Sequence, residues 1–302
     1  MVEVCGSRIR VIEQGSGDRA VLLVHGVGGW AEHWAETMDR IAASGRRAIA
    51  FDLPGFGESA AVRGARYFQP ERPFYAAVVE GVRAALDLDR PHLIGHSLGG
   101  GIAAVTAVSH PRAFRSLTLV APGGFGPDIA LLLRFLSLPF LGLTAWVPRP
   151  NSIGRGVLES CFHDRARIPA HLYAENERYG RTHPETLRVM RAVATLRGVR
   201  PGLRAAWLAR AGEYRGPVFV VWGREDGIVP AAHLDALQQS YPDAETVTIE
   251  SAGHLVMAEQ PDRFAASLLP FLDRAERDTT DARSMKPEVA AEATVGVADQ
   301  ER

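Results

Sequence analysis

Short apolar runs alternate with segments of helical spacing over the first part of the chain. Runs of four or five mostly apolar residues are typical of strands that are buried on both faces of a sheet. Such runs occur at Ala20–Val24, Arg47–Phe51, Pro91–Ile94 and Ser116–Val120. Segments with helical spacing, such as Phe74–Leu86, lie between them. Strands that alternate with helices predict a parallel sheet with helices on both faces.

The alternation stops near Gly124 and resumes near Pro217. Between these points we find helix-like segments and no convincing strand pattern. Two strand-like runs then follow, Pro217–Trp222 and Glu245–Ile249, and a closing helix is predicted from about Pro261 to Arg274. The pattern therefore predicts an α/β fold whose sheet-forming sequence is interrupted by a helical insertion.

These changes of pattern set the predicted domain limits. We predict an α/β core from residues 1–123 and 216–277, with a mostly parallel central sheet of about eight strands flanked by helices. Residues 124–215 are predicted to form an inserted helical cap, or lid. Residues 278–302 have little periodicity and few large apolar side chains, so they are predicted to be a disordered tail.

Composition narrows the classes of partner. The 302 residues are 46% hydrophobic and 23% charged with a net charge of −1, which gives no reason to expect nucleic acid or an anionic membrane. Two cysteines form no disulfide framework, and no signal peptide is recognised, so a cytoplasmic location is expected. The apolar segment Ile129–Val147 is interrupted by Arg134 and Pro139, so no stable membrane insertion is expected.

The stretch Gly95–Gly100 fits the pattern G-x-S-x-G, with Ser97 at its centre. An apolar strand-like run precedes it and a helix-compatible run follows, which is the strand–turn–helix context that this pattern requires. The turn is expected to strain the backbone of Ser97 and to raise its hydroxyl above the sheet. The N–H of Leu98 would then point to where an oxyanion could form. Because three fixed positions also match by chance, the interpretation depends on partners elsewhere.

A serine nucleophile needs a base and a group that orients the base. Functional side chains in a parallel α/β sheet gather just beyond the carboxyl ends of strands. Asp226 and His254 each follow a predicted strand by a short loop, and the order Ser97, Asp226, His254 is the one expected for a triad on this turn. Asp128, after the preceding strand, is the rival acid.

Five stretches together resemble the α/β-hydrolase superfamily, in its capped branch, over about residues 3–275. They are His25–Gly29, Asp52–Ser59, Gly95–Gly100, Trp222–Pro230 and Ala252–His254. Their order and context are specific to the superfamily but say little about the substrate.

The resemblance implies a role for each matching residue. Ser97 would be the nucleophile, His254 the base, and Asp226 the carboxylate that orients His254. The backbone N–H groups of Val27 and Leu98 would form the oxyanion hole. Superfamily members that dehalogenate or open epoxides have an aspartate at the position of Ser97, so a serine here implies acyl-enzyme chemistry. No cofactor and no metal are expected.

Other polar residues near these motifs are expected to be structural. His25 and His96 should pack and form hydrogen bonds near the site, and the Asp52–Ser59 loop should brace the first oxyanion turn. No role is predicted for three other histidines, His33, His92 and His110.

The cap should determine which substrate fits. Its apolar stretch Leu131–Leu143, with Phe135, Phe140 and Trp146, would either line an acyl or ring pocket or pack the cap on the core. The cap has twice as many arginines as acidic residues, which indicates either a solvated surface or attraction of an anionic substrate.

The leading hypothesis is a serine hydrolase that cleaves a carboxylic ester of an apolar small molecule through an acyl-enzyme on Ser97. The alternatives are a C–C bond hydrolase of an aromatic ring-cleavage pathway and a cofactor-free acyltransferase or perhydrolase. A ligand-binding protein with a relict triad is the alternative outside enzymes. The oligomeric state is left open.

Overall fold

A seven-stranded sheet lies at the centre of the structure, a computed structural model that describes residues 1–65, 68, 73–138, 151–179 and 184–284. In chain order the strands of these residues are β1 (Val2–Val4), β2 (Ser7–Ile9), β3 (Val11–Gln14), β4 (Ala20–Val24), β5 (Arg47–Phe51), β6 (His92–His96), β7 (Leu117–Val120), β8 (Ala194–Thr195), β9 (Gly198–Val199), β10 (Val218–Gly223) and β11 (Glu245–Ile249).

The order across the main sheet is β11-β10-β7-β6-β4-β5-β3. Neighbouring strands are parallel except for β3 and β5, which are antiparallel. The predicted mostly parallel sheet is confirmed, and seven strands agree with a prediction of about eight. Strands β1 and β2 form a separate antiparallel hairpin, because the chain leaves β2 at Ile9 and enters the main sheet only at Val11.

Helices cover both faces of the sheet. In the described residues they are α1 (Ala35–Ala43), α2 (Phe74–Ala85), α3 (Leu98–Ser109), α4 (Leu131–Leu136), α5 (Asn151–Ser160), α6 (Ala170–Tyr179), α7 (Pro184–Val193), α8 (Pro201–Ala211), α9 (Leu234–Ser240), α10 (Val256–Glu259) and α11 (Pro261–Ser284). Short 3₁₀ turns span Ala31–Trp34, Arg165–Arg167 and Ala231–His233.

The two faces of the sheet form two separate apolar cores. Along β4, Leu22 and Val24 pack with helices α2 and α3, while Val21 and Leu23 pack with α1 and α11. This division follows from the two-residue period of a strand, which sends successive side chains to opposite faces. Since both faces are covered, the whole strand is apolar, as its sequence predicted.

The segment between β7 and β10, which was predicted to be the cap and keeps that name below, contains helices α4 to α8 and the small hairpin β8–β9. The expectation of a cap without strands is therefore wrong at Ala194–Val199. Each of these strands has two residues, which is too short to produce an alternating pattern in the sequence.

The last helix, α11, continues to Ser284, so the predicted disordered tail does not begin at residue 278. The sequence there loses apolar positions but keeps residues with adequate helix propensity, such as Ala282 and Arg283. Loss of the apolar stripe therefore does not mark the end of the helix. Residues 285–302 lie outside the described part. Across the described helices, none combines the length and hydropathy that crossing a bilayer would require.

Candidate active site

Ser97 occupies a sharp turn between β6 and α3. Its backbone has φ 54° and ψ −121°, a conformation that residues other than glycine rarely adopt. The turn is held on both sides, because the N–H of Ser97 donates to the carbonyl of Val120 (2.9 Å) and the Ser97 carbonyl accepts from the N–H of Gly123 (2.8 Å). A Cβ atom at Gly99 would lie 2.4 Å from the carbonyl oxygens of Val24 and His25, so only glycine fits there. The predicted strand–turn–helix is present as expected.

Asp226 and His254 meet at the carboxyl ends of β10 and β11. His254 Nδ1 lies 2.8 Å from Asp226 Oδ2, and both side chains are buried. The other oxygen of Asp226 accepts the N–H groups of Ile228 (2.8 Å) and Val229 (2.9 Å), which fixes the plane of the carboxylate. With Nδ1 engaged, Nε2 is the nitrogen of His254 left to take a proton. His254 and Ser97 line the same cavity.

Asp128, the rival acid, lies elsewhere. Its side chain is 59% exposed and pairs with Arg134 Nη2 at 3.1 Å. The geometry therefore favours Asp226 as the partner of His254.

His25 and His96 form the hydrogen bonds that were expected of them. His25 Nε2 accepts the N–H of Leu53 (2.9 Å), so the proton is on Nδ1, which donates to the carbonyl of Gly26 (2.7 Å). His96 Nε2 lies 3.0 Å from the carbonyl oxygen of His254, and the two rings are 4.5 Å apart. Burial lowers the pKa of both His25 and His96, which keeps them neutral.

The first oxyanion turn, Gly26–Gly29, is closed by the N–H of Gly29 on the carbonyl of Gly26 (3.1 Å). Val27 in this turn lines the cavity beside Ser97, and Leu98 is the first residue of α3. Their role as an oxyanion hole stays a prediction.

The Asp52–Ser59 loop contacts this turn through one buried carboxylate. Asp52 Oδ1 accepts the N–H of Ala31 (2.8 Å), which follows the turn, and Asp52 Oδ2 accepts the N–H of Glu58 (2.8 Å). Ser59 Oγ donates to the Asp52 carbonyl (2.8 Å). The loop therefore braces the first oxyanion turn, as expected from its sequence.

The cavity at Ser97 has a volume of about 60 Å³ and adjoins a larger one of about 400 Å³. Residues that line both include Leu132 and Leu133 of α4, Cys161 after α5, and His33. The apolar stretch of the cap thus reaches the site through two leucines. Phe135 is 46% exposed and lines neither cavity, and Phe140 and Trp146 lie outside the described residues.

His33 and Cys161 are among the wall residues that were not predicted from the sequence. His33 is buried, and burial lowers its pKa to about 3, so its ring is neutral. Cys161 is a thiol at working pH, because burial raises its pKa to about 12. Cys161 reaches the cavity because the cap packs against the core, and no local sequence motif specifies that packing. Within the described ranges, no three His, Cys, Asp or Glu side chains converge as metal ligands would.

The model of the alpha/beta hydrolase fold family matches residues 19–261. The chain therefore belongs to the alpha/beta hydrolase fold family.

Proteins that are similar to this chain differ in their named reactions. The chain is 31% identical over 279 residues to the dihydrolipoyllysine-residue acetyltransferase component of the acetoin cleaving system of Cupriavidus necator, covering 89% of this chain and 68% of the relative. It is 28% identical over 272 residues to the 2-hydroxy-6-oxo-6-phenylhexa-2,4-dienoate hydrolase of Burkholderia cepacia, covering 88% and 91%. A crystal structure of a membrane phospholipase A, a bacterial virulence factor, superimposes with a TM-score of 0.74 at 25% identity, covering 91% of this chain and 85% of that one. The family and the hydrolases among these relatives support the classification of this chain as an enzyme.

Proposed function

We propose that the protein is a serine hydrolase that cleaves a carboxylic ester of an apolar small molecule through an acyl-enzyme on Ser97. The observation that carries the proposal is the buried Asp226–His254 pair, whose histidine lines the same cavity as a serine on a strained strand–helix turn. A pair of this kind supplies the base that a serine hydroxyl lacks near neutral pH.

The proposed reaction has two halves. In the first, Ser97 Oγ bonds to the ester carbonyl carbon as His254 Nε2 takes its proton, and the C–O bond to the alcohol then breaks as the alcohol takes that proton from His254. In the second, water attacks the acyl-enzyme, its proton passes to His254, and Ser97 recovers a proton as the acid leaves. Asp226 keeps Nδ1 protonated and stabilises the imidazolium formed in each half.

Backbone N–H groups are proposed to stabilise the negative oxygen of each tetrahedral intermediate. The groups are those of Val27, which lines the Ser97 cavity, and of Leu98, which follows Ser97 at the start of α3. A donor of this kind is worth about 10²–10³ in rate, because it is already oriented when charge develops.

The walls of the cavities support an apolar substrate. Leu132, Leu133 and Val157 face both cavities. Among the described residues that line them, Arg178 is the single Lys or Arg, and it is bonded to Glu58 at 2.6 Å. A substrate carboxylate would have to compete with Glu58 for this guanidinium, so an uncharged ester fits the site better.

The second candidate is a C–C bond hydrolase acting through the same Ser97. It is supported by the Burkholderia cepacia relative, whose name specifies a dienoate substrate. The hydrogen-bonded ion pair between Arg178 and Glu58 counts against this candidate, because a dienoate carries a carboxylate that would have to displace Glu58 from the guanidinium.

A substrate panel separates these candidates. p-Nitrophenyl esters of graded acyl length and a phenyl-substituted ring-fission dienoate would be offered to the wild type and to Ser97→Ala, whose fold is checked by circular dichroism. Ester hydrolysis that Ser97→Ala abolishes would support the proposal. Turnover of the dienoate alone would favour the second candidate, and no turnover together with tight binding of these compounds would favour a binding protein.

A further inference from the structure

Glu259 connects the loop that holds His254 to the cap. It lies at the end of α10 and is 3% exposed. Its Oε2 accepts the N–H of Gly253 (2.7 Å), the residue before His254, and the N–H of His163 (3.0 Å) in the cap. Its Oε1 accepts the N–H of Asp164 (2.7 Å), also in the cap. One carboxylate therefore satisfies backbone donors on both sides of the core–cap boundary.

The two segments that Glu259 joins are in direct backbone contact. The N–H of Leu255 donates to the carbonyl of Cys161 (3.0 Å). A Cβ atom at Gly253 would lie 2.7 Å from the Cys161 carbonyl oxygen and 2.8 Å from the His163 nitrogen, so glycine is required for this approach. The residues on both sides of His254 are thus fixed against the cap turn 161–164, and the side chain of Cys161 in that turn lines the Ser97 cavity.

The contacts suit an ionised carboxylate, which only accepts hydrogen bonds. Both oxygens face N–H donors, and among the described residues no Lys, Arg or His lies within ion-pair distance of Glu259. Hydrogen bonds to a charged acceptor are stronger than those between neutral groups, and each buried N–H left without a partner would destabilise the loop. The Glu259 carboxylate therefore accepts hydrogen bonds from three backbone N–H groups and forms no salt bridge with any described residue.

We propose that Glu259 is a positioning residue that sets both the place of His254 relative to Ser97 and the place of the cap wall at Cys161. The inference rests on the proposed function, since it takes His254 as the base. Glu225 is the natural comparison: its Oε2 accepts the N–H of Ala252 (2.9 Å) on the same loop, and it has no hydrogen bond to the described residues of the cap.

The test substitution is Glu259→Gln, which keeps the shape of the side chain. The amide retains one acceptor oxygen but turns an NH₂ group toward N–H donors at the other position, so at least one bond to the loop or the cap turn is lost. Glu225→Gln is the matched control on the core side.

The assay measures the second-order rate constant of Ser97 labelling by fluorophosphonates with a short and a long alkyl chain, normalised to the sites that label at completion. The labelling rate depends on the base His254 and on the cap wall at Cys161, and the assay can be run without knowing the natural substrate. Normalisation to the sites that label at completion removes the contribution of unfolded protein to the rate constant. We expect Glu259→Gln to lower the rate constant about 10–100-fold, the effect of misplacing a reacting group by about 1 Å. The ratio of long-chain to short-chain rate should also change, because the cap wall moves. Glu225→Gln should lose less and keep the wild-type ratio.

Each other outcome has a defined meaning. A Glu259→Gln rate constant and ratio equal to those of the wild type would overturn the inference. A loss equal for both chain lengths and matched by Glu225→Gln would also overturn it, because the role would then be local bracing. Glu259→Asp, which keeps the charge but is too short to reach all three donors, provides the same comparison should the glutamine variant not fold. No labelling of the folded wild type would instead refute the proposed function itself.

Discussion

Replacement of Asp226 by asparagine tests the proposed base most sharply, because the structure dictates how the amide must turn. Asp226 Oδ1 accepts two backbone N–H groups, from Ile228 and Val229, while Oδ2 faces His254 Nδ1. An asparagine keeps its oxygen toward the two N–H donors and presents its NH₂ group to His254. Nδ1 must then accept, so the proton of the neutral ring moves to Nε2.

With a proton on Nε2, His254 can no longer take one from Ser97. We therefore expect Asp226→Asn to lower kcat by about 10⁴, with little change in KM, because the wall that binds the substrate is untouched. The measurement is ester hydrolysis at saturating substrate, with the melting temperature as a check of folding. Activity within about tenfold of the wild type would refute the reasoning, since base catalysis alone is worth about 10²–10⁴.

The matched control is Asp128→Asn. Asp128 is exposed and paired with Arg134, so this change should leave kcat unaltered. A larger loss for Asp128→Asn than for Asp226→Asn would show that the orienting acid was assigned to the wrong strand end.

Two further predictions concern stability. Gly99→Ala should lower the free energy of unfolding in urea by about 1–3 kcal/mol or more, because its methyl group would lie 2.4 Å from two carbonyl oxygens. The control is Gly156→Ala in α5, whose methyl group meets no atom within 4 Å, so this variant should be as stable as the wild type or more stable. Equal effects of the two substitutions would contradict the turn geometry. Partial burial raises the pKa of Glu276, but hydrogen bonds from His92, Arg46 and Arg19 outweigh it and hold that pKa well below its usual range. Such a carboxylate stabilises the fold above the unfolded pKa of about 4.3 and loses this contribution as the pH falls, so Glu276→Gln should be less stable at neutral pH and show a shallower fall in stability below about pH 4. An unchanged acid slope in calorimetric melts would contradict it.

Much of the core could be predicted because local pattern and tertiary position agree there. The strands β4 and β10 consist of apolar residues and glycine, since both faces of the sheet are covered. The rule that functional groups follow strand ends places Asp226 and His254 together. Ser97 could be found because its turn admits only a narrow set of neighbours, with glycine required at Gly99.

The cap could be predicted only as a helical insertion. The hairpin β8–β9 is too short to leave a periodic signal, and His33 and Cys161 become wall residues through contacts between distant segments. Glu259 is a further case: its three backbone partners lie on two segments separated by about 90 residues of chain, so no local motif specifies them.

The most direct test of the account is to trap the acyl-enzyme. The wild type and Ser97→Ala would be mixed with a p-nitrophenyl ester, quenched in acid within the first turnover, and digested for mass spectrometry. The account predicts an acyl group on the peptide that contains Ser97, formed together with a burst of p-nitrophenol and absent from Ser97→Ala. Ester turnover with no adduct on that peptide, or equal turnover by Ser97→Ala, would contradict it.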